Sequence, residues 1–330
     1  MQELISITNK MQGKKILVIG DIVADVYVDG RISRISREAP VLILEKAGER
    51  VVAGGAANVV ANVATLGGEV YAIGVIGDDN HAENLRNIFK DLDVHIEGLV
   101  RDKSRPTISK TRIIAGGRAT VSQQIVRIDS ESKAPLGKKV EAELLAKIDK
   151  ILPTVDGIIM SDYGSGTVTA NARKLITRYA GNKKLPNIVD SRYNIGDFAG
   201  VGYIKQNDSE LGAFVGHELN DVTDLIGAGT QLLTKLNVDG ALITRGEMGM
   251  SLFERSGATH HIPVSDMSEV YDVSGAGDTC TAAFLLALTT GAQPALAAKI
   301  ANFAAGIAVR KLGTSTVSAT ELIATLERIR

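Results

Sequence analysis

The stretch DVSGAGDTCTAAFLL, Asp272 to Leu286, starts an apolar, alanine-rich helix at Gly275-Ala276-Gly277 and sets a carboxylate, Asp278, in its first turn. Unpaired N–H groups and the positive end of the helix dipole collect at such a start, which suits an anion. A carboxylate there repels the same anion. Two readings resolve the conflict. Either Asp278 caps the helix or complements its dipole, or the amides of Gly275, Ala276 and Gly277 stabilise a phosphoryl group in transfer while Asp278 takes the proton of a hydroxyl lying between them.

Two further constellations carry polar groups at suggestive spacings. In KQNDSEL, Asn207 and Glu210 lie three apart at a strand-to-helix junction. They would hold water around a phosphate-bound Mg²⁺, a hard ion that prefers oxygen ligands, or they cap the helix. In AGGAANVVANVATLGG, Gly54 and Gly55 open a helix and allow close backbone approach to a ligand, and Asn58 and Asn62 follow one turn apart. Close helix packing explains the small residues equally well but leaves two amides to account for. Cys280 reads as a small buried helix residue rather than a nucleophile.

Positioning these groups falls to short β-branched runs (KKILVIGD, VYAIGVIGDD, GIIMSDYG, PNIVDSR, GALITRGE) alternating with amphipathic segments such as NHAENLRNIFKDL. The alternation predicts a doubly wound, mostly parallel α/β sheet flanked by helices. Segments 31–46 and 107–129 break the rhythm with strands that lack an intervening helix, the second split at Gly116-Gly117 by a hairpin turn. They are expected to pair into one small sheet over the crevice of the main body. With no linker or internal repeat, the chain reads as a single domain over 1–330, its lid built from two insertions at about 22–48 and 104–130.

Composition narrows the classes. The 330 residues hold 37 basic against 38 acidic side chains, so no large footprint for nucleic acid or membrane is implied. The single cysteine excludes an internal disulfide and fits a reducing compartment. The five histidines form no metal-binding pattern. Without a span-length apolar run or a signal peptide, a cytoplasmic protein is expected.

Ligands on such sheets bind beyond the carboxyl ends of the strands. The apolar runs end in Gly20-Asp21, Gly77-Asp78-Asp79, Ser161-Asp162-Tyr163, Asp190-Ser191-Arg192, Gln206-Asn207-Asp208 and Thr244-Arg245-Gly246, which collects polar groups on one rim. No GxxxxGK[ST] occurs, and the first strand is followed by GDIVAD rather than GxGxxG, so neither a Walker loop nor a Rossmann dehydrogenase is supported.

Taken together, GDIVAD, GGAAN, the KxNxxE spacing at Lys205, Asn207 and Glu210, TRGEMG and DVSGAGD resemble the ribokinase or PfkB family of carbohydrate kinases, in family order across nearly the whole chain. The resemblance implies Mg²⁺- and ATP-dependent transfer of the γ-phosphoryl group to a sugar hydroxyl, with Asp278 as base and the Gly275, Ala276 and Gly277 amides as anion hole. It places Asp25, Gly54, Gly55 and Asn58 at the sugar, with Asp21 and Asp162 beside them. Asn207, Glu210, Thr244, Gly246, Gly249 and Asn302 match the nucleotide and metal side. The two irregular segments become the lid, through which a homodimer is expected. Cys280 departs from the phenylalanine of many members.

Within that family, SRISREAPV, ISKTRIIAGGRATVSQQIVRID, SDYGSG, GMSLF, EVYDVSGAGDT and KLGTSTVS are similar to the kinases that phosphorylate the anomeric hydroxyl of D-glycero-β-D-manno-heptose 7-phosphate on the route to ADP-heptose and lipopolysaccharide core. Arg37 stands where proline is expected, and no HxGH of a fused nucleotidyltransferase occurs, so a stand-alone kinase is expected. A phosphorylated substrate needs cations at its distal end, and Lys110, Arg112 and Arg127, with Arg34 or Arg37, are available; a solvated charged face is the alternative for each. Another sugar or nucleoside kinase of the family, and a non-catalytic binding protein of the same fold, are the rival readings.

Overall fold

The computed structural model describes residues 1–116, 122–264 and 270–328. In chain order the strands are β1 (Lys15–Gly20), β2 (Ile22–Ile35), β3 (Leu42–Gly55), β4 (Glu69–Ile76), β5 (His95–Arg101), β6 (Ile108–Gly116), β7 (Gln123–Ser130), β8 (Gly157–Asp162), β9 (Asn187–Ser191), β10 (Tyr203–Asn207), β11 (Gly240–Thr244), β12 (Met250–Glu254) and β13 (Thr259–Ile262). The helices are α1 (Gln2–Lys10), α2 (Ala56–Thr65), α3 (Asn80–Asp91), α4 (Lys138–Ile151), α5 (Ala170–Lys183), α6 (Asp208–Val215), α7 (Val222–Leu236), α8 (Ala276–Thr289), α9 (Pro294–Ala308) and α10 (Ala319–Arg328).

Among the described residues, nine strands form one sheet in the order β13-β12-β11-β10-β9-β8-β1-β4-β5. Pairing is parallel from β5 through β11 and antiparallel at β12 and β13. Parallel strands buried on both faces must be apolar on both, and they are. Ile16 and Val18 of β1 face a core shared with α1, α2 and α8 to α10, while Leu17 and Ile19 face the core under α4 to α7. The chain leaves β1 in both directions, toward β4 and toward β8, so the strand order switches there and a crevice opens at the carboxyl ends.

A second sheet, in the order β3-β2-β6-β7, joins the two irregular segments. The first extends past its expected end near 48, because β3 pairs with β2 in one long hairpin down to Gly55 opposite Ile22. Gly54 and Gly55 therefore close a strand, and Gly55 at φ 53° also caps α2. The turn expected at Gly116-Gly117 lies partly outside the described residues: Gly116 ends β6 and Gly117 is not described. Among the described residues no helix is long and apolar enough to cross a membrane.

Candidate active site

Asp278 lies in the first turn of α8 and is only 4% exposed. It does not cap its own helix, whose N-cap is Gly275 in a left-handed conformation (φ 81°). Its Oδ2 accepts from Asn58 Nδ2 at 2.7 Å and its Oδ1 from the Tyr163 hydroxyl at 2.8 Å. Loss of water around the buried carboxyl pushes it up to about 6, with Asp190 adding to the rise and Asn58, Tyr163 and Lys205 opposing it. A carboxylate titrating just below neutrality is suited to general-base work.

The paired asparagines of α2 form one network behind Asp278. Asn62 Nδ2 donates to Asn58 O at 3.0 Å and to Asn58 Oδ1 at 3.2 Å, which turns the Asn58 amide hydrogens toward the carboxylate. Asn62 Oδ1 accepts from Thr279 Oγ1 at 2.9 Å and from Val317 N at 3.3 Å. Both amides are thus buried and satisfied, as buried polar groups must be.

Beside the start of α8 stands Lys205, buried in β10, whose Nζ donates to Asp190 Oδ2 at 2.8 Å. Burial disfavours its charge, but Asp190 outweighs that and holds its pKa above the ordinary lysine value. A Cβ on Gly277 would fall 2.6 Å from that ammonium, so a side chain there would push the cation away from the helix mouth. Of the three expected anion-hole amides, that of Ala276 is turned toward the Val273 carbonyl at 3.3 Å. Cys280 is fully buried in α8 and its thiol is pushed up to about 12 by burial, as inert as expected.

The expected sugar-side residues divide. Asp25 faces the crevice from β2, with Oδ1 accepting from Arg112 Nη1 at 2.6 Å and Oδ2 from Thr314 Oγ1 at 3.0 Å. Any side chain on Gly54 would collide with the Asp25 carboxylate. Asp21 is spent elsewhere: Oδ2 accepts from the Tyr163 and Ser165 amides at 2.9 and 3.0 Å, and Oδ1 from the Thr167 amide at 3.1 Å. Asp162 binds Ser191 Oγ at 2.7 Å and the Gly164 amide at 3.1 Å. These two carboxylates brace the loop that presents Tyr163. Among the expected cations, Arg112 is tied to Asp25, and Arg127 pairs with Asp129 at 2.8 Å on the exposed edge strand. The Lys110 ammonium lies over the Tyr163 ring, 5.3 Å from its centre.

On the nucleotide side, a cavity of about 620 Å³ brings Asn207, Thr244, Gly246, Gly249 and Asn302 together with Ala276 and Gly277. Asn302 Nδ2 donates to the Pro263 carbonyl at 2.7 Å and so fixes part of the wall. Asn207 and Glu210 form a reciprocal capping box on α6: Asn207 Oδ1 accepts from Glu210 N at 2.7 Å, and Glu210 Oε2 from Asn207 N at 2.8 Å. Glu210 lines not this cavity but a neighbouring hollow that shares Asn207 with it. Sequence reasoning passed over Tyr163 and Thr314 and quoted Lys205 only as part of a spacing; the strand-end triplet Ser161-Asp162-Tyr163 was the available signal for the first.

A profile described as pfkB family carbohydrate kinase matches residues 13–321. The chain is 39% identical over 319 residues to the bifunctional protein HldE of Pelobacter propionicus, covering 96% of this chain and 64% of that protein. With the protein of the same name from Geobacter metallireducens, identity is 40% over 311 residues, 94% of this chain and 62% of the relative. The chain thus spans less than two thirds of these relatives. In fold it resembles the ribokinase of Arabidopsis thaliana complexed with ribose and ATP (TM-score 0.73, 18% identity, 96% of this chain and 99% of that one). It likewise resembles phosphofructokinase-2 of Escherichia coli in complex with substrates and products (TM-score 0.74, 19% identity, 96% and 99%).

Proposed function

We propose, from the premise that this chain belongs to the pfkB family of carbohydrate kinases, that it transfers the γ-phosphoryl group of ATP to the anomeric hydroxyl of D-glycero-β-D-manno-heptose 7-phosphate, giving the 1,7-bisphosphate for ADP-heptose and lipopolysaccharide core synthesis. The observation that carries the reading is Asp278: a buried carboxyl with its pKa raised to about 6, placed where a helix start, Lys205 and the nucleotide-side cavity meet. Asp278 takes the proton of the acceptor hydroxyl as the sugar oxygen attacks the γ-phosphorus and the bond to the β-phosphate oxygen breaks, releasing ADP. The Gly275 and Gly277 amides and Lys205 face the charge that spreads over the transferring group.

Mg²⁺ fits the donors at the α6 junction. The capping box uses one carboxylate oxygen of Glu210 and leaves the other to accept through water, and burial raises the pKa of Glu210, a carboxyl that a nearby cation would stabilise in its charged form. Once bound, the ion supplies neutralisation of phosphate charge. Asp25, Gly54 and Asn58 line the sugar side. The heptose is supported by the sequence stretches that resemble heptose 7-phosphate kinases and by the likeness to proteins named bifunctional protein HldE. The small sheet acts as the lid and as the face of a cytoplasmic homodimer.

The test is ADP release with Mg²⁺ and ATP against the heptose 7-phosphate, beside fructose 6-phosphate, ribose and adenosine, with the new phosphate located by NMR. Preference for the heptose with a phosphate on its anomeric carbon is expected. Turnover of another sugar discards the heptose and keeps the base. Asp278→Asn is expected to lower kcat by about 10²–10⁴-fold with little change in nucleotide binding; wild-type turnover in that variant removes Asp278 from the chemistry.

A further inference from the structure

Asp278 meets two donors of unlike mobility. Asn58 is buried within α2 and its amide is fixed by Asn62. Tyr163 lies just past β8, followed by Gly164 at φ 83°. Its backbone N–H is anchored by Asp21 at 2.9 Å, so the loop is held while the hydroxyl, among the described residues, has Asp278 as its partner. Lys110 covers the ring and forms no ion pair among the described residues, unlike Arg112 and Arg127. Besides Tyr163, Lys205 of β10 and Asp190 of β9 face Asp278; Lys110 of β6 and Asp25 of β2 face Tyr163.

A base that must accept the proton of an incoming hydroxyl needs an oxygen not already satisfied. We propose that Tyr163 masks Asp278 Oδ1 and that Lys110 controls the release: a sugar carrying a phosphate draws the ammonium off the ring, the tyrosyl side chain turns away, and the acceptor hydroxyl takes its place on Oδ1. This rests on the kinase reading and makes preference for a phosphorylated sugar a property of kcat as well as of KM. Exchanging one hydroxyl donor for another on the same oxygen is close to balanced, so a modest pull decides it. A lysine–phosphate contact is stronger than a cation over a partly exposed ring, which sets the direction. Tyr163 does not replace the base, because burial and the facing Asp278 hold its own proton well above the ordinary tyrosine range.

The experiment compares the wild type, Tyr163→Phe, Lys110→Met and the double variant, using the heptose 7-phosphate and the same heptose without its phosphate. In Tyr163→Phe the preference for the phosphorylated sugar is expected to narrow about tenfold, chiefly in kcat. Lys110→Met narrows it too, and the double variant goes no further than the larger single effect. The acid limb of kcat/KM, and the ¹³C titration of the Asp278 carboxyl without sugar, move up by about one pH unit in Tyr163→Phe, because a donor to the charged form is gone. An unchanged preference in Tyr163→Phe, or additive effects in the double variant, overturns the gate. An Asp278 carboxyl that titrates identically in both proteins beside normal turnover also sinks the gate but leaves the kinase reading standing. If the wild type phosphorylates neither sugar, gate and substrate reading fall together.

Discussion

At the scale of single residues, burial of Asp278 fixes both an activity profile and a stability penalty. Its folded pKa of about 6 lies above the ordinary aspartate value of 3.8, so the folded chain holds this proton more tightly than the unfolded one. The stabilising contribution is fully present below pH 3.8 and is lost as pH rises through about 6. Catalysis runs the opposite way, since only the ionised carboxylate accepts a proton: kcat/KM is expected to fall below about pH 6. Asparagine cannot ionise, and the Tyr163 hydroxyl can turn from donor to acceptor toward its amide. Asp278→Asn is therefore expected to be slow yet more stable at pH 8 by about 1–3 kcal/mol, with the gain vanishing near pH 4. Urea midpoints at the two pH values check it; a variant less stable at both would show that Asn58 and Tyr163 favour the charge more than burial opposes it.

At the scale of elements, the junction between β10 and α6 illustrates one short sequence doing two jobs. The capping box satisfies both an N–H of α6 and the Asn207 N–H, so Asn207→Ala is expected to cost about 1 kcal/mol whatever becomes of the metal. Asn207→Asp keeps a capping oxygen and should hold the wild-type urea midpoint while altering the Mg²⁺ dependence of turnover. Equal midpoints for wild type and Asn207→Ala would reduce the capping box to a geometric coincidence. This junction was legible in the sequence because capping and metal binding both act over three residues. The parallel sheet was legible for a similar reason: runs such as KKILVIGD need no partner to declare that both their faces are buried. What stayed hidden depends on approach from afar. That Asp21 would brace the 163–167 loop, or that Arg112 would be taken up by Asp25, follows from pairings across 142 and 87 residues, respectively, which no local pattern encodes. Lys110 and Arg112 looked interchangeable as cations; the register sets Lys110 opposite Asp25 and Arg112 opposite Tyr27, yet Arg112 reaches back diagonally to the carboxylate while Lys110 lies over Tyr163.

At the scale of the whole molecule, the small sheet has two faces of different character. Arg127 and Asp129 occupy one side of β7, while Val126 and Ile128 on the other are 45% and 55% exposed. An apolar strip on an edge strand is a pairing hazard unless it is covered. Ile128→Lys is expected to convert a dimer to a monomer in sedimentation velocity; a monomeric wild type would remove the dimer reading. The sheet and helix α2 are also tied to residues 314–317, since Thr314 donates to Asp25 of β2 and Val317 to Asn62 of α2, contacts that span 289 and 255 residues. Both the sugar-side carboxylate and the network behind the base therefore depend on a segment that follows them by at least 255 residues. A growing chain can complete β1 to β11 and bury much of the sheet while its catalytic apparatus lacks these ties. An enzyme built this way is expected to stay latent until α8 and the 314–317 segment have packed back onto β2 and α2.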